Sequence, residues 1–212
     1  MDIINAQIEQ FAEQGTTTPD ALLQELLAFT NATHPEAHMV SGHLQGKFLE
    51  FFSSLMQPSQ ILEVGTFTGY SALCLAKGLK PEGELHTIEL RENDAQTAKD
   101  FFNRSAHANQ IHLHLGDAKA IIPTLDKTWD LVFLDADKTA YVEYFNMIFP
   151  RLRKGGFILA DNVFFHGQVL QEKPKGKSAK GIVDFVNHIK ERTDVEKLML
   201  TLRDGLYLIK KL

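Results

Sequence analysis

The sequence is poor in the residue types that would commit it to several common roles. It holds one cysteine, Cys74. No disulfide framework can form within the chain, and a cysteine-based zinc cluster lacks its ligands. Positive charge is not in excess: 22 Lys and Arg stand against 27 Asp and Glu, a formal net charge of -5. That excludes the general basic character of a bulk nucleic-acid binder. No apolar run approaches the ~20 residues of a membrane-spanning helix. The opening stretch, MDIINAQIEQFAEQ, begins acidic and is amphipathic, unlike the basic-then-apolar layout of a signal peptide, so a cytoplasmic protein is the expectation. Internal repeats and low-complexity tracts are lacking as well.

What is present suits one soluble globular domain: 212 residues, 44% hydrophobic and 23% charged. The expected layout is a single domain over 1–212, with a helical cap or lid over 1–58 and an α/β core over 59–212. Ile4, Ile8 and Phe11 share one helix face. A second helix opens at Thr18-Pro19-Asp20, with Thr18 as cap and Pro19 at its first position. A third runs from about Ser41 to Leu55 and stops before Pro58. The rhythm then changes to strand, helix, strand. Strands are expected at 60–64, 84–89, 110–115, 130–134 and 157–160, with helical segments between most of them, as a parallel sheet with right-handed crossovers needs. LVFL is apolar throughout, as a strand covered on both faces should be. Trp129 precedes it and is expected to pack there. Residues 198–202 and 206–209 flank Asp204-Gly205, a strong hairpin signal, so the sheet should finish with an antiparallel strand.

The stretch ILEVGTFTGYS places Gly65 and Gly69 after the first strand. Glycine turns at such places commonly let a ligand approach the main chain. The spacing is not G-x-G-x-x-G, and Glu63 would repel a phosphate, so a dinucleotide is disfavoured. A carboxylate suits a ligand with an ammonium or sulfonium instead. Glu89, at the end of the second strand, stands where an acidic residue takes ribose hydroxyls. Gly116-Asp117-Ala118 forms a turn after the third strand, where an adenine edge could be read. S-adenosylmethionine matches all three marks. Each mark alone also suits a plain strand–helix turn or a helix cap; their order at successive strand ends favours the cofactor.

The fourth strand ends in LDADK, with Asp135, Asp137 and Lys138, and the fifth in LADNV, with Asp161 and Asn162. Strand carboxyl ends in an open α/β sheet face one crevice. Asp135, Asp161 and Asn162 together offer hard oxygen donors without thiolate or imidazole, which suits Mg²⁺, Mn²⁺ or Ca²⁺ rather than zinc. Either aspartate alone could instead cap the helix that follows.

With these motifs in hand, the chain from about Met39 onward resembles the cation-dependent class I O-methyltransferases, the group of catechol and caffeoyl-CoA O-methyltransferases. EVGTFTGYS, the Glu89 strand end, GDA, FLDADK, LADNV and a terminal DGL hairpin carry the resemblance. It implies a Rossmann-like class I methyltransferase fold. That fold has a seven-stranded, mostly parallel sheet with a C-terminal antiparallel hairpin strand, helices on both faces and extra N-terminal helices that help form a homodimer. It implies that Asp135, Asp161 and Asn162 hold a divalent cation, Mg²⁺ first, and that Lys138 is the general base. It places Ser41, Glu63, Gly65, Thr66, Ser71, Glu89, Ala118 and Asp135 around S-adenosylmethionine, with Asp117 in the same turn as Ala118, and Met39 near the transferred methyl. Phe164-Phe165 stand where relatives often carry Leu-Trp, so an aromatic wall for a phenolic acceptor remains but the indole N–H is lost. The pair also suits core packing. His166 follows, where relatives commonly have a small or polar residue, and this departure bears on substrate identity.

The implied reaction is methyl transfer to a hydroxyl of a catechol-like vicinal diol, with no membrane and no bulk nucleic acid as partner. An alternative is methylation of a modified tRNA nucleoside on the same fold, with Lys173, Lys175, Lys177 and Lys180 in QEKPKGKSAK touching phosphates; a solvated loop is the plainer reading of that stretch. A nucleotide-dependent oxidoreductase is disfavoured by the glycine spacing, and a non-catalytic module by the intact Asp135, Lys138, Asp161 and Asn162. His34, His38 and His43 gather near the lid without a clear metal motif.

Overall fold

A computed structural model describes residues 5–212. Ile4, which the helical periodicity groups with Ile8 and Phe11, lies outside the described residues. Helix α1 (Ala6–Gln14) is capped by the Asn5 side chain, which accepts from Gln7 N at 2.8 Å. Ile8 and Phe11 on it are 63% and 77% exposed. Helix α2 (Ala21–Thr33) starts later than the Thr18 cap predicts: Asp20 Oδ1 accepts from Leu23 N at 3.0 Å. An aspartate two residues downstream competes for the same amides and wins because its carboxylate also meets the helix dipole. Helix α3 (Gly42–Met56) ends in a left-handed Gln57 just before Pro58.

Then the chain alternates. Strand β1 (Gln60–Val64) leads to α4 (Tyr70–Ala76), β2 (Glu84–Glu89), α5 (Glu92–Phe102), β3 (Ile111–Leu115), the short α6 (Ala118–Ile121), β4 (Trp129–Leu134) and α7 (Tyr141–Ile148). Strand β5 (Leu152–Asp161), α8 (Lys177–Lys190), β6 (Val195–Leu200) and β7 (Leu206–Lys211) complete the chain. The sheet has seven strands in the order β3-β2-β1-β4-β5-β7-β6. All neighbours up to β5 are parallel, while β7 runs antiparallel to both β5 and β6. This is the doubly wound, mostly parallel architecture that the resemblance implies, with its antiparallel hairpin. Helices cover both faces. Leu62, Val64, Val132, Leu134, Ile158 and Ala160 pack with residues of α7 and α8. Ile61, Leu131, Phe133 and Leu159 pack with residues of α2 to α5. The alternation along each strand follows from the two-residue period of the pleat. Trp129 opens β4 and is buried.

Two strands begin earlier than the sequence suggests. Residues 152–156 lie ahead of the strand expected at 157–160, yet they belong to β5. Gly155 takes φ +70°, and the pairing with β4 shifts register between Trp129 and Leu131. An irregularity of this kind lets glycines stay inside a strand. Strand β6 starts at Val195 because it lies at the sheet edge, where Glu196 and Lys197 are exposed and hide the apolar rhythm. No described helix is long and apolar enough to cross a membrane.

Register sets the site. Ile88, Val64, Leu134 and Ala160 pair across β2, β1, β4 and β5. The next residues, Glu89, Gly65, Asp135 and Asp161, therefore stand in one row at the carboxyl ends of four adjacent strands. The chain reverses its winding between β1 and β4, so this row straddles the switch point, where doubly wound sheets bind ligands. Gly65 is fixed by its neighbour in the row. It has φ +97°, and a Cβ there would lie 1.9 Å from the Asp135 carbonyl oxygen. Left-handed strain and overpacking together predict that Gly65→Ala costs about 3 kcal/mol or more of stability. A urea unfolding midpoint equal to wild type would show that the two strand tips can separate freely.

Candidate functional site

A cavity of about 400 Å³ opens over the row of strand ends. Its floor and walls come from the Gly65–Phe67 turn, the N-terminus of α4, the Glu89–Arg91 turn, the Gly116–Ala118 turn, the Asp135–Lys138 turn and the Met39–Ser41 segment before α3. Ser41, Gly65, Thr66, Ser71, Glu89, Asp117, Ala118 and Asp135 from the sequence reading all line it, as do Met39 and Lys138. The volume and mixed lining suit a small molecule held by a few placed polar groups.

Glu89 is aimed by backbone donors. Its Oε2 accepts from Phe67 N at 2.7 Å and its Oε1 from Arg91 N at 2.9 Å. The carboxylate thus bridges the first and second strand–helix turns and keeps lone pairs for a ligand hydroxyl. Asp117 caps α6 through Lys119 N at 2.9 Å, which orders the third turn.

Glu63 lies beneath the cavity rather than on its wall, with no exposed surface. Its Oε2 accepts from the Thr87 hydroxyl at 2.5 Å, and Thr87 also meets Thr66. Its Oε1 has no hydrogen-bond partner. Burial pushes the carboxyl up to about 8, against the opposing hydroxyls of Ser71 and Thr87; Asp135 and Glu89 add to the rise.

Asp135 Oδ1 accepts from Lys138 Nζ at 2.7 Å, one helical turn on. The Lys138 ammonium is largely buried and lies over the Tyr141 ring at 5.2 Å. Burial alone would lower its pKa, but Asp135, Tyr141 and Asp161 outweigh it and hold it above the usual lysine range. Asp161 is buried, and its Oδ1 has no hydrogen-bond partner. Burial first, then Asp135, push its carboxyl up to about 7, with Lys138, Gln45 and Arg203 opposing. The Tyr141 hydroxyl ties the two strand tips together: its hydrogen is shared between the Leu134 carbonyl at 2.9 Å and the Asp161 carbonyl at 3.2 Å. Asn162 follows in a left-handed conformation, φ +57°, so the chain turns where the resemblance puts both ligands. The acids and an orphaned buried oxygen make a hard donor set of the kind that Mg²⁺ or Mn²⁺ takes.

Phe164 and Phe165 do not line the cavity. They pack against the core beside α8, and the Phe164 ring covers Gly205, where an added Cβ would come within 2.5 Å of it. Phe164 N donates to Asp204 O at 2.9 Å and His166 N to Asp204 Oδ1 at 2.7 Å. The left-handed Phe165 and His166 let the chain follow the hairpin turn. His34 bonds Asp94 at 3.0 Å and His43 bonds the Thr17 carbonyl at 2.8 Å, each a satisfied side chain. Lys173, Lys175, Lys177 and Lys180 are exposed, the first two before α8 and the others on its first turn.

Sequence reasoning passed over Arg203 and Gln45. Arg203, in the left-handed region at φ +48°, donates from Nη1 to the carbonyls of Val40 and Ser41 and to Gln45 Oε1. Gln45 in turn stands beside Asp161 and keeps an unpartnered Nε2. One guanidinium thus joins the terminal hairpin, the segment over the cavity and the helix flanking Asp161. Its charge in a hairpin turn otherwise read as Asp-Gly was the available signal.

The sequence profile described as O-methyltransferase matches residues 13–212. A protein of Niastella koreensis named catechol O-methyltransferase is 35% identical over 185 residues, covering 85% of this chain and 83% of that one. The O-methyltransferase from Bacillus cereus in complex with SAH superposes with a TM-score of 0.90 at 27% identity, covering 97% of each chain. The O-methyltransferase TomG from Streptomyces achromogenes, involved in tomaymycin synthesis and solved with SAM, gives 0.87 at 29%, covering 97% of this chain and 96% of that one.

Arg203→Ala leaves three acceptors without their shared charged donor. It should cost about 1.5–3 kcal/mol in urea denaturation, the range for hydrogen bonds to charged groups. An unchanged midpoint would mean that the clamp carries no net stability.

Proposed function

The chain belongs to the O-methyltransferase family, and from that premise we propose the following reaction. A methyl group passes from S-adenosylmethionine to one hydroxyl of a catechol-like vicinal diol, in dependence on a hard divalent cation. The observation that carries this reading is the buried Asp161. Its Oδ1 is unpartnered and its carboxyl is driven up by burial and then by Asp135, which lines the cavity together with Lys138. A buried acid, a half-buried one and an adjacent asparagine on neighbouring strand ends are costly to keep together without a cation. Support for the acceptor class comes from the name of the Niastella relative, and for the donor from the SAM and SAH held by the two structural relatives.

In this reading Glu89 accepts from the ribose hydroxyls. The Asp117-Ala118 turn borders the adenine. Ser41, Gly65, Thr66 and Ser71 surround the amino-acid head, with Glu63 beneath Ser71 as the nearest buried acid. Asp135, Asp161 and Asn162 hold the cation. When bound, the cation would lower the pKa of the acceptor hydroxyl and help to orient it, and the donor would supply the methyl in an in-line displacement with the neutral thioether as leaving group. Lys138 Nζ takes the hydroxyl proton. In this structure Asp135 keeps Lys138 as an ammonium, so Lys138 must leave that pair before it can act as a base. Met39 borders the methyl end of the cavity.

Excess chelator should abolish methylation of a catechol, and Mg²⁺ should restore it; full activity in chelator removes the cation from the reaction. Screening phenols with and without vicinal hydroxyls, alongside bulk tRNA, tests the acceptor, and transfer to tRNA alone would overturn the diol reading. Lys138→Met should lower kcat by about 10²-fold or more, the scale of lost proton transfer, with donor affinity little changed; the reverse pattern argues against a base.

Glu63 gives a pH dependence. In the folded chain burial pushes its carboxyl up to about 8, above the ordinary glutamate value of 4.5. Below 4.5 the acid is protonated in both folded and unfolded states, and its effect is constant. As pH rises from 4.5 to 8 the unfolded chain loses this proton first, so the group progressively opposes folding. A bound sulfonium favours the carboxylate, so donor binding should expel a proton and tighten as pH rises towards 8. Calorimetry in buffers of different ionisation enthalpy measures this, and Glu63→Gln should remove it. Proton release unchanged in that variant would place its source elsewhere.

A further inference from the structure

A second cluster of ligating side chains lies away from the cavity, on the β2–β3 edge of the sheet. Glu84 and His86 alternate along β2, so both point to the same face. His112 on β3 pairs in register with His86, which puts its ring on that face too. One ligand atom from each of Glu84, His86 and His112 lies within 4.8 Å of the others. His86 Nε2 is 3.4 Å from Glu84 Oε2, and His112 Nε2 is 4.0 Å from Glu84 Oε1. At ~3.3 Å per residue, His86 is roughly 10 Å back along β2 from Glu89, so the cluster is separate from the strand tips.

We propose that Glu84, His86 and His112 form a binding site for a borderline transition-metal dication, with Zn²⁺ as its first occupant and one coordination position left open to solvent. Two imidazoles and a carboxylate are a donor set that Zn²⁺ takes and that Mg²⁺ does not favour. The surroundings of His86 match a ligand's needs. If Nε2 binds the metal, Nδ1 carries the proton and must donate it. His86 Nδ1 lies 3.0 Å from His114 Nε2, whose lone pair can receive it. A partner on the far nitrogen is the usual device that fixes the tautomer of a metal-bound histidine. Trp129 meets the His86 ring edge-on at 5.7 Å and the His114 ring stacks on it at 5.2 Å, so the imidazole is held in place.

Lys127 is the resident counter-ion. Its Nζ sits 2.5 Å from Glu84 Oε2 on a half-exposed side chain. A dication must displace this ammonium, so Lys127 opposes binding and its removal should strengthen it. The open position faces solvent because His112 and Glu84 are both partly exposed. Since β3 is an edge strand, a bound ion would join it to β2 through side chains as well as through the backbone ladder.

The test uses the full-length chain without a tag, in buffer saturated with Mg²⁺, titrated with Zn²⁺ by calorimetry and with Co²⁺ by visible absorption. Wild type should bind one equivalent of Zn²⁺ more than His112→Ala, and should give Co²⁺ ligand-field bands that His112→Ala lacks. Any Zn²⁺ that replaces Mg²⁺ at the strand tips appears in both proteins, so the difference isolates the edge site. Lys127→Ala should tighten the extra site several-fold. His114→Phe, which removes only the outer acceptor, should weaken it by about tenfold. Zn²⁺ should raise the thermal midpoint of wild type more than that of His112→Ala. Equal stoichiometry in wild type and His112→Ala overturns the proposal, as does Zn²⁺ affinity that Lys127→Ala leaves unchanged.

Discussion

Three acids, Glu63, Asp135 and Asp161, stand at the carboxyl ends of adjacent strands, the first and last buried and Asp135 half-buried between them, and their charges oppose one another. The sheet register enforces this, because β1, β4 and β5 end at one level. The fold answers the repulsion in three ways. Lys138 pairs with Asp135, hydroxyl groups flank Glu63, and protons are retained on Glu63 and Asp161 well above the ordinary carboxylate range. None of these satisfies every oxygen, since Glu63 Oε1 and Asp161 Oδ1 remain unpartnered. A site left with unmet acceptors next to a cavity is one prepared for positive charge, which the sulfonium of the donor brings and which the proposed dication would add to.

Much of this was legible because strand tips in a doubly wound sheet carry a local signature. An apolar run that ends abruptly in Asp, Glu or Gly marks a carboxyl end. The tips at Glu89, Gly65, Asp135 and Asp161 all announced themselves in that way. The elements misjudged were those in which tertiary context overrides the local pattern. Gly155 and Gly156 belong to a strand because a register shift accommodates them. The edge position of β6 lets charged residues occupy it. Asp20 takes the cap from Thr18 through better electrostatics. Arg203, Gln45 and the β2–β3 histidines could not be found by spacing, since each acquires meaning only from a residue distant in sequence.

The glycine turn also changes meaning between sequence and structure. As sequence, Gly65 suggests bare backbone for a ligand to approach. In the folded chain it does line the cavity, but the atom that forbids a side chain there is the Asp135 carbonyl of the adjacent strand. Gly69 is likewise shaped by its neighbours, since a Cβ there would strike the Phe102 ring on α5. The smallness of these residues brings strands and helices together, and closeness to ligand follows from that approach. The same logic applies at Gly205, where the Phe164 ring occupies the space that a side chain would need.

The Arg203 clamp ties the segment over the cavity to a turn more than 160 positions later in sequence. Strand β7, which follows that turn, is also the one that separates β5 from β6. Without that turn in place, one flank of β5 has no strand partner and the Val40 and Ser41 carbonyls lack their guanidinium donor. The cavity therefore takes its final shape only once the Arg203 turn has docked on the Val40–Ser41 segment, so the closing of the roof is coupled to the completion of the sheet.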